Sequence, residues 1–233
     1  ISTHARLTFN LLEGLKLNLF GAYTYNIVEN SQYLPTSVWA NGQAYKGTKK
    51  RESLLGNMML TYKKNWKKHF FDVLALAELQ KETYTGYYTT VSNFSTDKFG
   101  YNNLQAGALR LWEGTNSYYD QPRLASFMGR FNYTYADRYV LTLNARTDAS
   151  SKFGANHKWG FFPSASAAWV ISEEEFMKQL PMVDNLKFRI GYGLAGNQSG
   201  IDSYTTLNLV KPNGVVPVGN SAVVSLGDLR NTN

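Results

Sequence analysis

The chain has 233 residues, 43% of them hydrophobic and 18% charged, with a formal net charge of +7, enough for one large domain or two small ones. It contains no cysteine, which excludes disulfides and thiolate metal sites, and no run of eighteen apolar residues, which excludes a membrane-spanning helix but not a membrane-spanning strand. Much of the clustered positive charge lies in Lys49-Lys50-Arg51 and in Lys63, Lys64, Lys67 and Lys68; such runs fit solvated turns and strand ends better than a nucleic-acid surface.

Ile1-Ser2-Thr3-His4-Ala5-Arg6 has neither the basic nor the apolar region of a signal peptide, so either a leader was removed or the chain is a fragment. From there period two dominates. Leu15, Leu17, Leu19, Gly21, Tyr23 and Tyr25 alternate with Lys16, Asn18, Phe20, Ala22, Thr24 and Asn26. The same pattern recurs from Ser126 to Tyr135, from Tyr139 to Arg146 and from Leu186 to Gly193. About eight strands are expected, at 5–12, 15–27, 51–64, 69–83, 124–136, 139–150, 159–170 and 186–196. Most have the 9–11 residues, or slightly more, that a tilted strand needs to cross a bilayer.

Glu13-Gly14, Asn65-Trp66-Lys67-Lys68 and Asp137-Arg138 read as tight turns, whereas 28–50, 84–123 and 197 onward read as long connections. Tight and long connections alternate, so they sort to opposite ends of the sheet, as in a bacterial barrel with short periplasmic turns and long extracellular loops. One connection on the tight side is longer, at 171–185. There Ser172-Glu173-Glu174-Glu175 fits a capping box, with Ser172 as N-cap and Glu175 at N3, followed by a short helix that Pro181 ends. Aromatics gather near the strand ends: Trp66, Phe70, Phe71, Tyr135, Tyr139 and Trp169 on the short-turn side, Trp159, Phe161 and Phe162 on the other. Interfacial girdles have that placement.

The stretch from Arg146 to Phe176 contains Arg-Thr-Asp-Ala-Ser-Ser-Lys-Phe-Gly, then Trp-Gly-Phe-Phe-Pro-Ser-Ala-Ser and Trp-Val-Ile-Ser-Glu-Glu. It resembles the signature of the SusC/RagA-type TonB-dependent transporters, with Ala149 and Gly191 where that family usually has Gly and Ser. Asn185-Leu-Lys-Phe-Arg-Ile-Gly-Tyr-Gly-Leu-Ala-Gly-Asn-Gln198 and Ser126–Tyr133 are similar to further blocks of the same family. The resemblance implies an all-β fold: an antiparallel transmembrane β-barrel section, about eight strands of a barrel of about twenty-two, with long extracellular loops. It further implies TonB-driven import of a glycan or oligopeptide across the bacterial outer membrane, a SusD-like surface lipoprotein as partner, and a plug domain that is not in this chain. Residues 1–233 would all belong to the barrel domain.

Gly191, Gly193 and Gly196 have dinucleotide-fingerprint spacing, but no βαβ unit surrounds them. His4, His69 and His157 are scattered at expected turns and strand ends, so no metal site, cofactor or nucleophile arrangement is read, and no enzyme is expected. Arg130, Arg146, Asp148, Glu78 and Arg189 fall on polar strand faces and should point into the lumen, where pairing with one another is favoured over lining a substrate path. The substrate-binding candidates are loop aromatics: Tyr87, Tyr88, Trp112, Tyr118 and Tyr119, with Tyr84, beside Asn102, Asn103, Gln105 and Asn116. Flat rings among amide groups suit stacking on sugar faces, and packing of the loop on itself accounts for them equally well. The competing architectures are a self-contained small outer-membrane barrel and a soluble carbohydrate-binding β-sandwich with no transport role.

Overall fold

The computed structural model describes residues 1–111, 114–153, 158–177, 183–197 and 201, together with the backbone of 209–218 and 221–230. One antiparallel sheet dominates. Its wall strands are β1 (Ser2–Leu12), β2 (Leu15–Leu34), β3 (Gln43–Trp66), β4 (His69–Phe94), β7 (Arg123–Tyr135), β8 (Tyr139–Ser150), β9 (Trp159–Val170) and β10 (Lys187–Gly193), hydrogen-bonded in that order. Two short strands, β5 (Gly107–Leu109) and β6 (Thr115–Asp120), pair back onto β4. A separate pair, β11 (Leu209–Val218) and β12 (Ser221–Arg230), forms its own ribbon. Among the described residues β1 and β10 do not meet, so the wall is open, as a barrel section is.

The register sorts side chains into two faces. Across the wall one row reads Leu60, Ala75, Gly129, Ala145 and Pro163, and the next reads Tyr62, Val73, Phe131, Leu143 and Ala165. From the row of Gly56 to that of Tyr62 this face carries no charged residue on β3, β4, β7, β8 or β9. The opposite face carries Asn57, Glu78, Ser126, Arg146 and Asp148. Buried hydrophobic residues are few, and Phe127 is 48% exposed, Phe161 62% and Ile190 63%. Leaving such side chains in water forgoes about 1.5–3 kcal/mol each. Their solvent is therefore lipid, and a sandwich would need a second sheet over this face.

Both ends follow from the turns. Gly14 has φ +80°, and a Cβ there would lie 2.1 Å from the Lys63 carbonyl oxygen, so the β1–β2 turn requires glycine. Lys67, Ala136 and Asp137 also take positive φ in the β3–β4 and β7–β8 turns.

The expected capping-box helix is not formed. A 3₁₀ turn, Ile171–Glu173, follows Val170 without a side-chain cap. The Ile171 and Ser172 amides instead donate to the Leu186 carbonyl, at 2.8 and 3.1 Å. The β9–β10 ladder has claimed the residues that would open a helix. Pro181 lies outside the described residues.

At the other end the expected long loops are largely strand. β2 runs to Leu34, β3 begins at Gln43 and β4 continues to Phe94. Beyond the membrane neither face meets lipid, so the ladder continues while the hydropathy alternation that reveals it disappears. The outward side of this extension has its own small core, where Ala44, Val91 and Phe94 are covered by Tyr33, Leu104 and Ala106.

Candidate ligand-facing site

The strand extensions raise an inward-facing ledge above the membrane. Pairing of β4 with β6 sets Tyr118 opposite Gly86 and Asn116 opposite Tyr88. A Cβ on Gly86 would meet the Tyr118 ring at 2.6 Å, so the ring lies flat over bare backbone. Tyr88 stacks with Tyr45 on β3, centroids 5.9 Å apart, across Gly47. Tyr45, Tyr88 and Tyr118 are thus inward aromatics on one surface.

Below them sits a polar group. Arg51 donates to Glu82 at 2.5 Å, and the hydroxyl of Tyr84 donates to the same carboxylate. The guanidinium lies 5.6 Å from the centre of the Tyr84 ring. A hollow of about 620 Å³ opens beside them, lined by Glu82, Tyr84, Asp120 and Lys152 among others. Charges of both signs next to phenol rings can bind a ligand rich in hydroxyl, amide or charged groups. Among the described residues no nucleophile–base pair is assembled there.

The expected candidates divide. Tyr88 and Tyr118 share the inward face with Tyr84 and Asn116, whereas Tyr87 and Tyr119, one residue out of phase, stand on the outward face. Both are 58% exposed. Gln121 donates to the Tyr119 hydroxyl at 2.8 Å and to Thr83 at 3.3 Å. Trp112 lies outside the described residues. Asn102 and Gln105 fall in 3₁₀ turns, Gly100–Asn102 and Leu104–Ala106, with Asn103 between them. The second turn packs onto the Ala44–Val91–Phe94 core through Leu104 and Ala106. Tyr45, Glu82 and Arg51 were not among the expected ligand residues. Their signal was the run Tyr-x-Gly ahead of Arg51, which period-two reading could have extended into the strand.

The expected lumen charges do pair in part. Arg146 Nε donates to both Asp148 oxygens at 2.9 Å, and its Nη2 to Ser126 at 3.1 Å. Arg130 Nε is buried without a hydrogen-bond partner. Phe70 and Phe162, expected in the girdles, take the lumen side instead, opposite Thr134 and Arg146. The other girdle aromatics on the short-turn side do cluster: Tyr135 stacks on Tyr139 at 6.4 Å, and Trp66 on His69 at 5.5 Å. His69 shares a 2.8 Å hydrogen bond with Tyr133, and His4 lies on β1 opposite Ala22. His157 is outside the described residues. Gly191 and Gly193 are strand residues of β10 facing Ser166 and Ser164, and among the described residues no helix follows them.

Two tethers lie outside the membrane. On the short-turn side Glu174 accepts from Tyr139 at 2.6 Å, Trp169 at 3.0 Å and Arg138 at 3.0 Å. The Tyr139 bond first, then that from Trp169, hold its carboxyl below the usual range. On the long-connection side Asp97 accepts from the Tyr33 hydroxyl at 2.6 Å and from the Thr36 hydroxyl and amide at 2.7 and 3.1 Å. The Tyr33 bond, then those from Thr36, lower the Asp97 pKa.

The model of the family described as TonB dependent receptor-like, beta-barrel matches residues 2–230. This chain belongs to that TonB-dependent receptor family. It is accordingly a β-barrel protein of the bacterial outer membrane. The receptor chain is 32% identical over 203 residues to TonB-dependent receptor P3 of Formosa agariphila, covering 85% of this chain and 20% of that protein. It is 30% identical over 208 residues to TonB-dependent receptor SusC of Bacteroides thetaiotaomicron, covering 86% and 20%. It therefore spans about a fifth of the length of the curated relatives it matches. In fold it matches a solved structure of the RagAB peptide transporter with a TM-score of 0.82 at 20% identity, over 99% of this chain and 26% of that one. Ala149, the departure from the usual glycine, is accommodated because it lies in β8 opposite Trp159 and is not among the positive-φ residues.

Proposed function

We propose that this chain is a section of barrel wall, 1–233 within the barrel domain, of a receptor that imports a nutrient across the outer membrane. The nutrient is a glycan or oligopeptide, import is driven through the TonB complex, and a SusD-like surface lipoprotein is the partner at the extracellular mouth. The chain's own part is binding and lining. No covalent step and no cofactor is involved, and the plug that gates the lumen lies outside this chain.

The observation that carries the reading is the inward ledge of Tyr45, Tyr88 and Tyr118 above the Arg51–Glu82–Tyr84 group. Rings at the extracellular end of a polar lumen meet a solute before it descends. Sugar faces and peptide side chains both offer apolar surface to a phenol ring and hydrogen bonds to its surroundings. Trp112 stays with Tyr88 and Tyr118 in the proposed set. Tyr87 and Tyr119 are assigned to its outward margin, beside the partner lipoprotein.

The test is binding by the full-length receptor, purified in detergent, of an oligosaccharide mixture and of a mixed-sequence oligopeptide pool. One class should bind saturably, and Tyr88→Ala with Tyr118→Ala should weaken it about tenfold, since a ring contact is worth about 0.5–1.5 kcal/mol. Unchanged binding in the double variant would remove the ledge from the substrate path. Binding of neither class would overturn the substrate assignment.

A further inference from the structure

On the lipid-facing side, at the extracellular margin of the apolar band, Lys81 of β4 and Arg123 of β7 stand directly opposite each other in register. Like charges in that position repel. No ion pair joins either of them to a carboxylate among the described residues. The Arg123 guanidinium is held in place by Gln121 Oε1 at 2.7 Å.

Immediately on the membrane side of this pair lies a hollow of about 660 Å³. Its floor is Ala125 and Ala149, neighbours in the next row, with Leu79 on one side and Trp159 on the other. Lys158 also lines it. A second hollow of about 420 Å³ continues deeper along the same face, floored by Ala75, Ala77, Gly129 and Ala145. Phe127, stacked on Trp159 at 6.1 Å, lies between the levels.

We infer that this is a binding site for a phosphate-bearing lipid of the outer leaflet. The phosphate bridges Lys81 and Arg123, relieving their repulsion, and an acyl chain fills the two hollows. Cations alone would suit a free anion, and the hollow alone would suit any lipid tail. Together, at the height where headgroups end and acyl chains begin, they fit an amphiphile whose anionic head is joined to its tail. A lipid seated there would brace β4, β7 and β8 from outside, and β4 carries part of the ligand ledge on its other face.

The test uses the delipidated full-length receptor in detergent and native mass spectrometry. The probes are dioleoyl phosphatidic acid, dioleoylglycerol and inorganic phosphate. Phosphatidic acid should be retained more strongly than dioleoylglycerol, and inorganic phosphate at the same concentration should not displace it. Lys81→Ala with Arg123→Ala should weaken retention about thirtyfold, taking about 1 kcal/mol per cation near a charged surface. Ala149→Phe should reduce it by filling the floor. Both cations are exposed, so the double variant should keep the heat-modifiable migration of a folded barrel even if Ala149→Phe does not. Equal retention of phosphatidic acid by the wild type and the double variant would overturn the site. So would equal retention of dioleoylglycerol, or displacement by inorganic phosphate.

Discussion

Gly14 is the residue on which local geometry depends most visibly. Its positive φ and the 2.1 Å approach to the Lys63 carbonyl leave no room for a side chain. Gly14→Ala is expected to destabilise the barrel by about 1–3 kcal/mol, the usual cost of forcing a side chain into such a conformation. Urea unfolding of the receptor in lipid vesicles measures it, and Gly21→Ala, where a Cβ meets nothing within 4 Å, is the control. Asp97 supplies a pH-dependent counterpart. Its folded pKa is lowered by the Tyr33 and Thr36 hydrogen bonds. The stability it contributes is therefore fully present above the ordinary aspartate pKa of about 3.9 and is lost as pH falls through its lower folded value. A spin label on Val38, which is 71% exposed in the tethered turn, should stay ordered at neutral pH and become mobile only in that acid window. In Asp97→Asn it should be mobile at both. At this scale residue types were more legible than their directions. Tyr87 and Tyr88 are adjacent in sequence, yet one turns outward and the other inward, because only the β4–β6 register decides the face.

At the scale of elements, the strands that cross the membrane announced themselves and their extensions did not. Lipid on one side and a polar lumen on the other impose period two on Leu15–Tyr25, Phe127–Tyr135 and Tyr139–Ala145, and the structure places all of these in wall strands. Above the membrane both faces are polar or covered, so Gln43–Lys50 and Tyr84–Ser92 had the look of loops although they are paired residue for residue. The Ser172–Glu175 motif misled for a different reason. A local capping preference, worth about 1 kcal/mol, lost to continuation of the β9–β10 ladder. The two faces also make opposite demands on charge. Leu60→Arg, in the middle of the apolar band, should cost about 2–4 kcal/mol in bilayer unfolding experiments. Thr61→Arg, its neighbour on the lumen side, should cost little. Similar costs at both positions would mean that the band does not meet lipid.

Taken whole, the molecule is a curved, open wall with lipid outside, a polar lumen inside, short turns at one margin and a built-up rim at the other. Its architecture could be inferred from chemistry because a bilayer writes its own boundary conditions into the strands. The ledge at the rim could be located only coarsely, since aqueous extensions carry no such constraint. The central claim is that the alternating faces of β7 meet lipid and lumen respectively. Nitroxide labels introduced one at a time from Ser126 to Phe131, in the full-length receptor reconstituted in vesicles, test it most directly. Collision rates with oxygen should peak at Phe127, Gly129 and Phe131, and those with a water-soluble nickel chelate at Ser126, Met128 and Arg130. A pattern without period two, or one with the chelate reaching Phe127 and Gly129 as readily as their neighbours, would contradict the account.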